Sequence, residues 1–250
     1  MSRIQISSIA LNENQNPQTS FARELRRADG FTSLAVTVAE QALAGLNPHD
    51  DRGETGIFIG TAFGPLATNF AALDTLLDDG EGQMSPTLFS HSVFNTAAGY
   101  ISRLFKLRGP AYTLTNYCWP FFLALREGKT AVEHGIIRRA VVLEVEIYSR
   151  ILTEAGQRSK GEDFPVLVPG AVAWILEDET DTGNEPVGLL DSLEFEEYDV
   201  APEEFLSPRP LEHSFAVSRT ARQLKKLPGQ KESWCAEELF GKARVDLQSP

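Results

Sequence analysis

From Gly56 to Leu176 short apolar runs alternate with longer stretches of helical apolar spacing, and few folds accept that rhythm. Gly56-Ile57-Phe58-Ile59-Gly60, Tyr112–Thr115, Ala140–Ile147 and Ala171–Leu176 read as strands, the fully apolar ones as strands covered on both faces. Between them fall predicted helices over Asn69–Leu77, Asn95–Lys106 and Pro120–Glu133. An earlier helix over Ala28–Ala44 carries Phe31, Leu34, Ala35, Val38, Ala39, Ala42 and Leu43 on one face and stops at Gly45. Strands separated by helices predict a layered α/β domain with a mainly parallel sheet. Ile4-Gln5-Ile6 is a short apolar alternation, Asn12–Thr19 reads as a loop and Asp78–Gln83 as an acidic turn. Beyond Asp199 prolines at 202, 208, 210 and 228 interrupt the pattern. The predicted organisation is therefore an α/β domain over residues 1–198 and an irregular tail over 199–250, with one short helix near Val217–Lys226.

Charge and composition narrow the function. Hydrophobic residues at 42% and charged residues at 23% are those of a globular chain, which excludes fibrous and wholly disordered classes. The net charge of −12 argues against a grip on duplex nucleic acid, which needs clustered cations. No apolar run is long enough to span a bilayer, and the N-terminus lacks a basic start followed by an apolar stretch. A cytoplasmic protein with neither nucleic-acid nor membrane partners is expected. Cys118 and Cys235 are too few and too distant for a disulfide framework. His49, His91, His134 and His213 show no metal-ligand spacing, so neither metal nor cofactor is expected. Gly60-Thr61-Ala62-Phe63-Gly64 follows a strand but carries two glycines where the dinucleotide fingerprint needs three.

The segment from Ser85 is more specific. Ser85-Pro86, Asn95, Ala98-Gly99, Leu107-Arg108-Gly109-Pro110, Cys118 and Gly135 occur in the order and spacing of the N-terminal half of a β-ketoacyl synthase, a condensing enzyme of the thiolase fold. Arg26-Arg27-Ala28-Asp29-Gly30-Phe31-Thr32, Gly60-Thr61 with Gly64, and Leu176-Glu177-Asp178 resemble the family's flanking segments. The resemblance covers roughly residues 20 to 195.

It implies that Cys118 occupies the nucleophile position, between a strand and a helix N-terminus, where dipole and amides favour a thiolate. In the family, two histidines, or a histidine and an asparagine, from the C-terminal half complete catalysis, one of them in a His-Gly-Thr-Gly-Thr motif. This sequence has no such motif, and bulky Trp119, Phe121 and Phe122 follow Cys118 where the family has small residues. The implied role is that of a chain length factor: a non-catalytic, truncated subunit, as in aryl-polyene-type pathways. It would pair with a catalytic ketosynthase in a heterodimer or larger assembly and meet acyl carrier protein indirectly. By the same resemblance, Ala111, Tyr112, Thr113, Leu114 and Thr115 pair across the subunit interface. Thr87, Leu88 and Phe89 reach the partner's acyl tunnel, with Trp119, Phe121 and Phe122 beside it. A half-fold would leave one helical layer bare, and Phe205, Leu206, Leu211, Phe215, Leu224 and Trp234 are the tail residues that could cover it. The alternative is a stand-alone acyl-thioester transferase or hydrolase that uses Cys118.

Overall fold

The apolar runs assemble into one eight-stranded sheet with helices on both faces. In this computed structural model the described residues are 3–13, 18–46, 54–80, 82–161, 164, 167–180, 185–197, 210–238 and 241–250. In chain order the elements are β1 (Ile4–Asn12), α1 (Gly30–Leu43), β2 (Thr55–Thr61), α2 (Leu66–Asp79), α3 (Pro86–His91), α4 (Thr96–Phe105), β3 (Ala111–Thr115) and α5 (Pro120–Glu133). They continue with β4 (Arg139–Glu146), α6 (Arg150–Lys160), β5 (Gly170–Asp178), β6 (Gly188–Glu197), α7 (Pro210–Leu224), β7 (Lys231–Glu238) and β8 (Gly241–Gln248).

The strand order is β3-β2-β4-β5-β1-β6-β8-β7. Only β2 pairs in parallel, with β3 and with β4. All other pairings are antiparallel. The sheet is thus mixed rather than mainly parallel. An apolar run states that a strand is buried but not which way it runs, and β1, β6, β7 and β8 lie outside the alternating region that suggested parallel pairing.

Two cores follow from the alternation of side chains along each strand. On one face α1 and α4 cover Ile57, Ile59, Val141, Leu143, Ala173 and Ile175. Asp29 starts α1, its Oδ1 accepting from the Thr32 amide at 2.9 Å while its Oδ2 accepts from Thr68 Oγ1 at 2.7 Å. On the other face Phe58, Val142, Val172, Trp174 and Leu176 lie under α5 and α7.

Among the described residues beyond 209, one helix and two strands stand where an irregular tail was expected. Pro210 opens α7, where a missing N–H costs nothing, and Pro228 sits in the turn that follows the helix. These prolines punctuate elements rather than break them. α7 buries Leu211, Val217, Ala221 and Leu224, and β8 buries Ala243, Val245 and Leu247. Trp234 of β7 stacks on Phe122 of α5 at 5.4 Å, and Phe195 of β6 meets Trp119 at 6.0 Å. The segment therefore packs on the helical layer that a half-fold would have left bare. Phe205 and Leu206 lie outside the described residues.

Candidate functional site

The turn between β3 and α5 carries the nucleophile position, and Asn116 builds it. The Asn116 side-chain oxygen accepts from the backbone amides of Cys118 at 3.0 Å and Trp119 at 2.7 Å, and the Asn116 backbone N–H donates to the Thr61 carbonyl at 3.2 Å. Pro120 is the first residue of α5, whose start lies directly on Gly60 of β2. A Cβ at Gly60 would stand 2.0 Å from the Pro120 carbonyl oxygen. At the far end of the helix Gly135, at φ +65°, donates its N–H to the Val132 carbonyl and ends α5.

Cys118 is 4% exposed and belongs to the core beneath α5 and α7. Phe121 and Phe122 are each 1% exposed, and Phe121 meets Trp174 edge-on at 5.3 Å. Trp119 is equally enclosed, and its indole N–H has no hydrogen-bond partner. Burial first, then the neighbouring Cys118 and Glu238, push the Tyr117 phenol above its usual range. These side chains occupy the volume next to the sulfur.

The other predicted residues lie on the surface. Thr87 and Phe89 on α3 are exposed and Leu88 is half-buried. α3 is held by His91, whose Nδ1 lies 2.8 Å from the Thr87 carbonyl and whose Nε2 lies 3.1 Å from the Tyr100 hydroxyl. β3 is an edge strand: Ala111, Tyr112 and Thr115 are exposed, and Thr113 and Leu114 are half-buried. Tyr112 stacks on Phe58 at 5.8 Å while remaining 56% exposed. Cys118, Trp119, Phe121 and Phe122 thus lie inside the fold, while Phe89 and Tyr112 stand outside it.

A second feature escaped the sequence reading. Glu146, at the end of β4, accepts from the Ala62 amide, from the Phe63 amide at 3.2 Å and from Thr61 Oγ1 at 3.1 Å. The Ala62, Phe63 and Gly64 amides, which a phosphate in this loop would need, are therefore already engaged. Burial pushes the Glu146 carboxyl up to about 8, although those three donors pull it down. The signal in the sequence was two glutamates, Glu144 and Glu146, on one face of a strand that is otherwise apolar after Arg139. His213 of α7 sits 2.6 Å from Glu238 of β7. No group of three metal-ligating side chains comes together among the described residues, and no helix among them is long and apolar enough to cross a membrane.

The layered α/β fold, with a cysteine at the junction of an edge strand and a buried helix, is thiolase-like. The β-ketoacyl synthase N-terminal domain matches residues 9–139, more than half of the sequence, and the chain belongs to that family. The 3-oxoacyl-[acyl-carrier-protein] synthase 2 of Rhizobium meliloti (strain 1021) is 36% identical over 100 residues, which cover 38% of this chain and 24% of that protein. The protein of the same name from Coxiella burnetii (strain RSA 493 / Nine Mile phase I) is 27% identical over 99 residues, with the same shares. The chain thus spans about a quarter of the length of these curated relatives.

Among solved structures, the ishigamide ketosynthase/chain length factor superposes with a TM-score of 0.82 at 13% identity, over 98% of both chains. The AntDE:AntF complex, a type II PKS acyl-carrier protein with its ketosynthase bound to the hexaketide, gives 0.86 at 10% identity over the whole of both chains. A β-ketoacyl synthase from Burkholderia phymatum STM815 gives 0.67 at 13% identity, over 92% of this chain and 72% of that one. At such identities the likeness is one of fold.

Proposed function

We propose that this chain is a non-catalytic, chain-length-factor-like subunit. It pairs with a catalytic ketosynthase and bounds the acyl tunnel in which chains grow on acyl carrier protein, in polyketide, polyene or fatty-acyl synthesis. The observation that carries the reading is the burial of Cys118 in a core filled by Trp119, Phe121 and Phe122. A nucleophile must meet a thioester, and this sulfur has aromatic rings where an acyl chain would lie. The unpaired edge of β3 supports subunit pairing through Ala111–Thr115, because an open strand edge is a template for another chain. The exposed Phe89 and half-buried Leu88 on α3 supply apolar surface for a partner's tunnel. The solved complexes of similar fold contain a ketosynthase, a chain length factor and a carrier protein, which agrees with the partners proposed here. An aryl-polyene-type pathway is the setting the sequence resemblance favours.

The test is product length. With the cognate ketosynthase and carrier protein reconstituted, Leu88→Ala and Phe89→Ala are expected to shift the products towards longer chains. Leu88→Trp is expected to shorten them. An unchanged product distribution in all three variants, with complex formation intact, overturns the tunnel role.

A further inference from the structure

β4 lies inside the sheet, between β2 and β5 and beneath helices on both faces, yet its last two residues on the α5/α7 face are acids. Glu144 and Glu146 are both completely buried. Glu146 is satisfied by the three donors of the Thr61–Phe63 loop. Glu144 is not: neither of its oxygens has a hydrogen-bond partner. Its neighbours across the sheet are Gly60 and Val172, and Pro120 overlies Gly60, so β2, β5 and the start of α5 bring it no charge. From α7 the fully buried Ser214 faces it and favours ionisation slightly, but that hydroxyl hydrogen is committed to the Leu211 carbonyl at 3.2 Å. Tyr148, just past β4, and Glu212 on α7 lie at this end and bring no positive charge, and Arg219 of α7, which lines the same pocket, is paired with Glu13. His213, next along α7, faces Glu238 instead.

The geometry points to a proton-operated latch, in which Glu144 sits as a neutral acid beneath α7 and docking of α7 retains a proton that alkaline solution removes. An ionised carboxylate without a partner in an apolar interior costs several kcal/mol, so the site either keeps its proton or opens to water. α7 is the element that can open. Its ties to β5 and β1 lie towards its middle and end, where the Trp174 indole N–H donates to Ser218 Oγ at 2.7 Å and Arg222 donates to the Ile9 carbonyl at 2.9 Å, while in its first turn His213 meets Glu238 of β7. The turn of α7 over Glu144 has no such tie to β4 among the described residues. Burial, and then the charge of Glu146, hold the Glu144 carboxyl well above the usual carboxylate range.

The sign follows from linkage. Both acids bind protons more tightly folded than unfolded, so their contribution is complete below about pH 4.5. It is lost as pH rises from there, through about 8 for Glu146 and through the raised value of Glu144. Each retained proton lowers the folding constant up to about tenfold per pH unit across that window. Nothing here depends on the proposed partner or product.

The experiment follows hydrogen exchange and thermal unfolding of the full chain between pH 6 and 9, with E144Q and E144M beside it. After correction for intrinsic base catalysis, amides in the first half of α7 should lose at least about tenfold in protection between pH 6.5 and 8.5 in the unmodified chain. In both variants they should hold, and the unfolding temperature should fall less steeply with pH. Equal pH dependence in all three proteins, or a loss of protection that spares α7, overturns the latch. Should neither variant fold, the unmodified chain still decides: unfolding at pH 7 in weak buffer is expected to release about two protons per chain, one from each acid. Release of about one or fewer, which Glu146 alone would supply, overturns it as well.

Discussion

Replacing Gly60 with alanine should dislodge the start of α5, because the new methyl has nowhere to go. Its Cβ would stand 2.0 Å from the Pro120 carbonyl oxygen, 2.3 Å from the carbonyl carbon and 3.0 Å from the Phe121 nitrogen. All three are backbone atoms, so no side-chain rotation relieves the clash, and ordinary contact begins at 3.4 Å. α5 must therefore retreat from β2 by roughly 1 Å, carrying with it the Phe121–Trp174 and Phe122–Trp234 contacts. Overpacking of this kind costs about 1–3 kcal/mol, and involvement of two strands and a helix start places Gly60→Ala at the upper end. The stiffer unfolded chain returns only about 0.4–1 kcal/mol. At about 2–4 °C per kcal/mol for a chain of this size, the unfolding midpoint should fall by roughly 5–10 °C. The assay is thermal unfolding followed by far- and near-UV circular dichroism. The control is Gly99→Ala in α4, where an added Cβ meets nothing within 4 Å. That change should stabilise by about 0.5–1 kcal/mol through helix propensity. A Gly60→Ala midpoint within 2 °C of the unmodified protein (about the effect of 0.5–1 kcal/mol) would refute the close seating of α5 on β2.

Other outcomes follow from the same packing. Phe122→Ala should cost about 3–5 kcal/mol in urea unfolding and alter Trp234 fluorescence, since it empties a 1% exposed site and removes the stacked ring. Glu177→Ala should cost about 3 kcal/mol, because it strands the Arg139 guanidinium, 12% exposed and 2.5 Å from that carboxylate, and frees the Ser7 hydroxyl. Cys118→Ala should leave pathway output unchanged and cost no more than about 2 kcal/mol. A complete loss of product would instead make the sulfur a nucleophile and revive the transferase reading.

Much of the fold was legible because periodicity reports burial. The helix over Pro120–Glu133 begins and ends where its proline and the residue before Gly135 place it, and the strand runs at Gly56, Ala140 and Ala171 sit within two residues of β2, β4 and β5. Strand direction was not legible, since a run such as Ala171–Leu176 is equally apolar read either way. β8 was readable in principle: Ala243, Val245 and Leu247 alternate with Lys242, Arg244 and Asp246, the mark of a half-buried strand. The prolines at 202, 208, 210 and 228 break the periodicity ahead of it. At the candidate site the sequence identified Cys118 and its bulky neighbours. That Trp119, Phe121 and Phe122 turn inward depends on partners more than fifty residues away, Trp174, Phe195 and Trp234, which no local pattern discloses. Glu144 escaped for the opposite reason, because a glutamate in a strand is normally a surface residue.

The central claim is that this chain completes a ketosynthase rather than acting alone. Co-expression with a catalytic ketosynthase, followed by size-exclusion chromatography with mass detection, tests that most directly. A stable one-to-one complex that is lost when a charge is placed on the open edge of β3 at an exposed position, as in Thr115→Lys, is the predicted result. A chain that elutes alone in the presence of that ketosynthase, with Cys118 taking up acyl groups from thioesters, would contradict it.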